Sequence, residues 1–233
     1  MRYDTRGWLI GLESGRIGHL KGLDGKTLKG KRTQDAEALT RLSDGSLVVA
    51  FERAHRVWRY GPSEPPFGGR PVALPTPPGL GGLPRNHGLE AMTVLADGAV
   101  LALAQDRNGA GRFPGYRWRA GRWQPLSYPA AGGFEPSGAT RLPGGDLLVL
   151  ERSYSFLGGL VVRLVQVEQT QLDEPPKLRP RALGELKPPL TLDNFEAIDS
   201  RRGPSGETLV YILSDDNFSP WQRTLLLQFA LGD

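Results

Sequence analysis

Cysteine is absent from the 233 residues. That excludes disulfides, thiolate-bound metals and a cysteine nucleophile, and it leaves the redox compartment open. Lysine is scarce, confined to positions 21, 26, 29, 31, 177 and 187, so arginine carries most of the positive charge behind the formal +4. The arginines are scattered, and no RNP, zinc-finger or other nucleic-acid signature accompanies them. The balance therefore reads as an arginine-rich proteome with no nucleic-acid partner; attraction to phosphate or another polyanion is the alternative. The cluster from Lys21 to Lys31 lies among glycines and reads as a solvated loop. No apolar run approaches the roughly 18 residues of a membrane span. Met1 to Asp4 are polar and Trp8 to Leu12 is too short for the apolar core of a signal peptide, so no export signal is read. The Gly-x-Ser-x-Gly, His-Glu-x-x-His, P-loop and dinucleotide fingerprints are all missing, which leaves Ser-His-Asp catalysis without support.

Glycine (31) and proline (20) are abundant and fall between short apolar runs, the pattern of many strands joined by turns. With 39% hydrophobic and 23% charged residues the chain can bury a core, and residues 1–233 read as one sheet-rich domain. Four segments share one design: a Glu, a short apolar strand, a Gly turn, a second apolar strand, then an acid or amide. They run from Asp35-Ala-Glu37 to Glu52-Arg53, from Leu89-Glu90 to Gln105-Asp106-Arg107, from Phe134-Glu135 to Glu151-Arg152, and from Phe195-Glu196 to Asp215-Asp216. The leading Glu residues stand 53, 45 and 61 positions apart, a spacing that suits propeller blades. The strands are apolar on both faces and need cover on both, which stacked blades supply. Outer strands are expected at Arg56 to Tyr60, Tyr116 to Arg119, Arg122 to Ser127, Leu160 to Val167 and Leu225 to Leu231. Segments 61–85 and 171–190 read as loops, with domain linkers as the alternative.

Asp44-Gly45 and Asp97-Gly98 are strong hairpin signals. Taken as two-residue turns, they set Glu37 opposite Glu52 and Glu90 opposite Gln105. The third and fourth turns read as longer, with an open register. Like charges directly across a ladder are destabilising, and at 4 Å with an effective dielectric of 20 they repel by about 4 kcal/mol. Acids repeated at one end of every hairpin therefore call for a bound cation, Arg or Lys partners, or a shared proton. A hard cation such as calcium suits the carboxylates. Arg53, Arg107 and Arg152 follow the distal acids and could reach an acid on the next blade. His19 lies in a loop and reads as inert, whereas His55 and His87 flank Glu52 and Glu90 as candidate bases or ligands.

Several blocks resemble a bacterial family known as "esterase-like activity of phytase". They are Asp35-Ala36-Glu37, Phe51-Glu52-Arg53-Ala54-His55-Arg56, Gly88-Leu89-Glu90-Ala91, Leu150-Glu151-Arg152, Phe195-Glu196, Ser214-Asp215-Asp216-Asn217-Phe218-Ser219 and Gln222-Arg223-Thr224-Leu225-Leu226-Leu227. Together they span nearly the whole chain. Ala197 stands where the family usually has Gly, and the family's usual first acidic hairpin has no counterpart. The resemblance implies an all-β, phytase-like β-propeller of about five blades: the four Glu-headed hairpins plus an incomplete N-terminal blade around Trp8 to Leu12. It implies a divalent cation, calcium foremost, among Glu37, Glu52, Glu90, Glu135, Glu151, Glu196, Asp215 and Asp216. It further implies hydrolysis of a small anionic or phosphorylated substrate; for that chemistry Arg53, Arg56, Arg152 or Arg223 are the expected anion-holding groups and His55 or His87 the expected proton carriers. Family members are exported, so a periplasmic location is expected by resemblance and a cytoplasmic one from the absent signal. A non-catalytic propeller that binds a ligand or protein on its acidic face is the other reading.

Overall fold

The computed structural model describes residues 18–107, 111–129, 132–156, 158–173 and 178–232. Four antiparallel sheets follow one another along the chain, each a meander in sequence order. The first blade is β1 (Ala36–Arg41), β2 (Leu47–Phe51), β3 (Arg56–Tyr60) and β4 (Val72–Leu74). The second is β5 (Leu89–Val94), β6 (Val100–Ala104), β7 (Phe113–Arg119) and β8 (Arg122–Tyr128). The third is β9 (Glu135–Arg141), β10 (Leu147–Ser155), β11 (Gly159–Val167) and β12 (Arg181–Leu186). The fourth has three strands, β13 (Phe195–Arg202), β14 (Thr208–Ser214) and β15 (Leu226–Leu231). Among the described residues helix is limited to two single α-helical turns, α1 (Lys31–Gln34) and α2 (Gln169–Asp173), and one 3-10 turn at Leu80–Gly82. None is long and apolar enough to cross a membrane, among the described residues.

The first strand of each blade is the inner one: β1 packs on β5, β5 on β9 and β9 on β13. No comparable packing joins β13 to β1 among the described residues. Among the described residues the fold is thus propeller-like with four blades. The expected fifth blade around Trp8 to Leu12 lies outside the described residues.

Apolar side chains fill the spaces between blades. Ala38, Val48, Ala50 and Val57 meet Met92, Val100 and Ala102 between the first and second. Ala91, Leu101 and Leu103 meet Leu147, Val149 and Val167 between the second and third. Leu148, Leu150 and Leu164 meet Phe195, Val210 and Ile212 between the third and fourth. This is why the strands read as apolar on both faces. The other face of the first blade, with Val49, Phe51, Trp58 and Tyr60, is covered by Leu20, Leu28 and Phe67.

All four inner hairpins turn in the same way. Leu42 N–H donates to Ser46 O and Gly45 N–H to Leu42 O; the same pair of bonds recurs at Leu95 and Ala99, Leu142 and Asp146, and Gly203 and Glu207. The loop is three residues long and ends in a left-handed glycine: Gly45, Gly98, Gly145 and Gly206 all have φ between +79° and +104°. A three-residue loop with glycine there is a stable alternative to the two-residue turn. The two-residue register expected from Asp-Gly is therefore off by one, and the third and fourth turns are no longer than the first two. The structure also adds strands where the sequence reads as loop: β4 falls within 61–85 and β12 within 171–190. The expected outer strands are present as β3, β7, β8, β11 and β15.

Candidate active site at one end of the inner hairpins

Each blade brings two kinds of position to the open end of its inner hairpin. One is a bulge on the inner strand. Pairing shifts between Ala36 and Ala38, Leu89 and Ala91, and Phe195 and Ala197, so the extra residue is Glu37, Glu90 or Glu196. A bulge leaves its residue unpaired and re-aims the side chain. Glu37 therefore does not face Glu52 as a ladder partner, nor Glu90 Gln105; each expected pair is offset. In the third blade Leu150 pairs with Gly138 and Glu151 with Pro136, which makes Ser137 the bulge residue. The Glu135 that sequence aligns with the other leading acids lies two residues earlier, paired with Arg152.

The other position is the one just past the middle strand. It holds Glu52, Gln105 and Asp215, whose N–H groups donate to the carbonyls of Asp35, Gly88 and Asn194. Arg152 takes this place in the third blade. Glu151 falls one residue short of it and turns into the protein instead. It is buried, accepts from Tyr128 Oη at 2.5 Å, and binds Arg163 through Nε at 2.8 Å and Nη2 at 2.5 Å. Burial and the adjacent Glu151 carboxylate push the Tyr128 phenol pKa up. Glu151 is thus removed from the open end where the sequence reading puts it.

A pocket of about 790 Å³ opens at this end, lined by Asp35, Glu37, Glu52, Glu90, Gln105, Arg152, Glu196 and Asp215. Asp35, Glu37 and Glu52 each bring a carboxylate oxygen to within 4.8 Å of the others. Burial raises the pKa of Glu37, and the charges of Glu90, Glu52, Asp35 and Glu196 carry it to about 8. Glu90 is pushed to about 7, chiefly by burial; the Gly88 N–H opposes this by donating to Oε1 at 3.2 Å. Glu52 is buried and its pKa is raised, first by burial and then by its hydrogen bond to Asp35 and that residue's charge. Asp35 was not singled out from sequence, although it stands two residues before Glu37 in the first repeat.

Compensating charge comes from neighbours. Arg53 has φ +58°, which returns its side chain to its own blade, where Nε binds Asp35. Arg152 crosses to the next blade and places Nη1 3.0 Å from Glu196 Oε1. Arg107 also crosses, its Nη2 donating to Phe134 O at 3.3 Å. Asp216 caps the loop after β14, accepting from Phe218 N–H at 2.9 Å and Thr224 Oγ1 at 3.0 Å. Arg56 lies over the rings of Phe51 and Trp58.

Neither His55 nor His87 lines the pocket, whereas His19 does. His55 Nε2 lies 3.1 Å from Pro84 O, and His87 Nδ1 lies 3.4 Å from Asp106. A second pocket of about 800 Å³ adjoins the first and shares Gln105, Arg152, Glu196 and Asn217 with it; Glu135 and Arg223 line it.

The profile of the family described as "Phytase-like: Esterase-like activity of phytase" matches residues 2–218. No curated protein matches the chain. Among solved structures, a protein of unknown function from Dyadobacter fermentans is 14% identical with a TM-score of 0.49, over 92% of this chain and 59% of that one. A luciferin-regenerating enzyme is also 14% identical, with a TM-score of 0.45 over 84% and 61%. A protein of unknown function from Bacteroides caccae is 10% identical, with a TM-score of 0.42 over 83% and 60%. The chain spans about three-fifths of the length of these structures.

Proposed function

The chain belongs to the phytase-like family, esterase-like activity of phytase, and from that premise we propose that the acidic pocket hydrolyses a phosphoester. The observation that carries this reading is the convergence of Asp35, Glu37 and Glu52 within 4.8 Å beside a Glu90 whose pKa is near 7. Acids brought this close, two of them with raised pKa values, form a donor set that fits a hard divalent cation, since oxygen ligands and net negative charge are what such ions take. Asp35, Glu37 and Glu52 would hold it, with calcium the first candidate. When bound, the cation would polarise a phosphoryl oxygen and make water more acidic.

The protein groups divide the remaining work. Arg152 has N–H donors beyond those used on Glu196 and Asn194, and a guanidinium suits the non-bridging oxygens of a phosphate. A carboxyl with a pKa near 7 exchanges its proton at neutral pH. Glu90 gives that proton to the leaving oxygen as the bridging P–O bond breaks. The water that forms the new P–O bond loses its proton to an ionised neighbour, and the products are an alcohol and a phosphate. His55 and His87 lie outside the pocket and take no part.

The pairs Arg53–Asp35 and Arg152–Glu196 support a second reading, in which the acids form a salt-bridged ring that binds without turnover. Hydrolysis of 4-nitrophenyl phosphate, measured after EDTA treatment and again with calcium, magnesium, manganese or zinc, separates the two. The hydrolytic reading expects turnover with one of these ions and its loss in the Glu37→Gln/Glu90→Gln double variant at a melting temperature no lower than that of the wild type. Absence of turnover with every ion, or a double variant that only melts earlier, would leave the binding ring.

A further inference from the structure

The pocket beside the acidic one is walled by chain that the blades do not need. In the first and second blades the middle strand has five residues. In the third, β10 has nine and runs on past Arg152 to Ser155. In the fourth, a connection from Asp215 to Leu225 separates β14 from β15. These two additions lie on adjacent blades at the same end. Each carries an aromatic side chain that lines the pocket yet stays open to solvent: Tyr154 is 76% exposed and Trp221 91%. The connection is tied down by Asp215 and Asp216, which accept from the N–H groups of Asn217 and Phe218.

Amides with spare capacity line the same pocket. Gln105 donates to Glu135 at 3.2 Å, and Asn217 Nδ2 donates to Gln222 Oε1 at 3.2 Å. The Gln105 and Asn217 carbonyl oxygens and the Gln222 amino group have no protein partner among the described residues. Donor and acceptor amides beside exposed ring faces suit a ligand with hydroxyls around its rim and C–H bonds on its face, because an aromatic face is electron-rich and a C–H edge electron-poor. The charges argue against a polyanion. Three acids, Glu135, Asp193 and Glu196, share the pocket with two arginines. Each arginine already lies beside an acid: Arg152 at 3.0 Å from Glu196 and Arg223 at 3.9 Å from Asp193. A volume of about 800 Å³ accepts a sugar-sized group.

We propose that the pocket between the third and fourth blades binds a neutral pyranose-type ring, stacked on Trp221 and Tyr154. Because the two pockets share Gln105, Arg152, Glu196 and Asn217, this ring would be the alcohol portion of the substrate. That last step rests on the hydrolytic reading of the acidic pocket; the binding itself does not.

The test needs no turnover. Saturation-transfer NMR is recorded on the full chain with the methyl glucopyranosides, galactopyranosides and mannopyranosides, and with 4-nitrophenol for comparison. Transfer to the ring C–H protons of at least one pyranoside is expected, with affinity at least tenfold weaker in Trp221→Ala and Tyr154→Ala. The same sugar should shield wild-type tryptophan fluorescence from acrylamide, a readout that stands even if a variant fails to fold. No transfer to any pyranoside, transfer to 4-nitrophenol alone, or undiminished transfer in the Trp221→Ala/Tyr154→Ala double variant would overturn the proposal. Pyranoside binding without phosphoesterase activity would keep it and reject the hydrolytic reading alone.

Discussion

Arg152 of the third blade reaches Glu196 of the fourth, Nη1 to Oε1 at 3.0 Å, at the rim shared by both pockets. In the other blades this position is Glu52, Gln105 or Asp215, so one arginine replaces what would be another acid or amide in the ring. The pair is partly exposed and contributes about 1 kcal/mol to stability at most. Arg152→Gln should therefore lower the melting temperature by roughly 2–4 °C while weakening phosphoester turnover at least tenfold. Unchanged turnover in a folded variant would take Arg152 out of the anion site.

Glu37 sets a pH dependence. Its pKa in the folded protein is about 8 against 4.5 for the ordinary carboxyl, so the folded state retains a proton that the unfolded chain has lost. Stability from this group is fully present below about pH 4.5 and is lost as pH rises to about 8. In EDTA the melting temperature should fall between pH 5 and pH 8. Glu37→Gln should flatten that fall, and a melting curve that rises over the same window would contradict the assignment.

A cation on the same acids must displace the protons they retain. Its apparent affinity should therefore increase from pH 6 to pH 8 and level off above, with proton release measurable by calorimetry in buffers of different ionisation enthalpy. A pH-independent affinity would place any bound cation elsewhere.

Gly88 packs against the acids at close range: a Cβ built on it would lie 2.9 Å from Glu52 Cβ and 3.7 Å from Glu90 Oε1. Gly88→Ala should displace Glu52, costing about 1–3 kcal/mol as overpacking does and weakening cation binding. Equal melting and equal affinity in the variant would show that the backbone yields freely there.

Glu151 marks the division between site and scaffold. Removing its counter-ion by Arg163→Ala leaves a buried charge with only the Tyr128 hydroxyl as partner, at about 3–5 kcal/mol, or on the order of 10 °C in melting temperature. Turnover per folded molecule should not change. By contrast His55→Ala should alter neither stability nor turnover by more than about threefold, because the ring lies outside the pocket; a larger loss of turnover would return it to the mechanism.

The repeat itself was legible in the chain. Four apolar hairpins, each closed by Gly and headed by Glu, specify an all-β stack, since strands apolar on both faces need a neighbour on each side. β4 escaped notice because three residues, Val72–Leu74, amid proline and glycine carry no readable alternation. β12 escaped because Arg181–Leu186 is mostly exposed or half-buried and reads as polar loop.

What the sequence by itself determined is therefore the number of Glu-headed hairpins and the end of each at which the acids lie, because strand alternation and turn chemistry are local. Which acids share one pocket was decided only by tertiary structure. The three-residue turn moves the first two registers by one and fixes the two that the sequence left open, the bulge re-aims Glu37, Glu90 and Glu196, and Ser137 takes the place expected for Glu135. A one-residue shift reverses the face of a strand, so Glu151 goes to the core with Arg163 and Tyr128 while Arg152 goes to the rim. Asp35 joins Glu37 and Glu52 for the same reason: backbone pairing across the hairpin, and no motif along the chain, brings their carboxylates together.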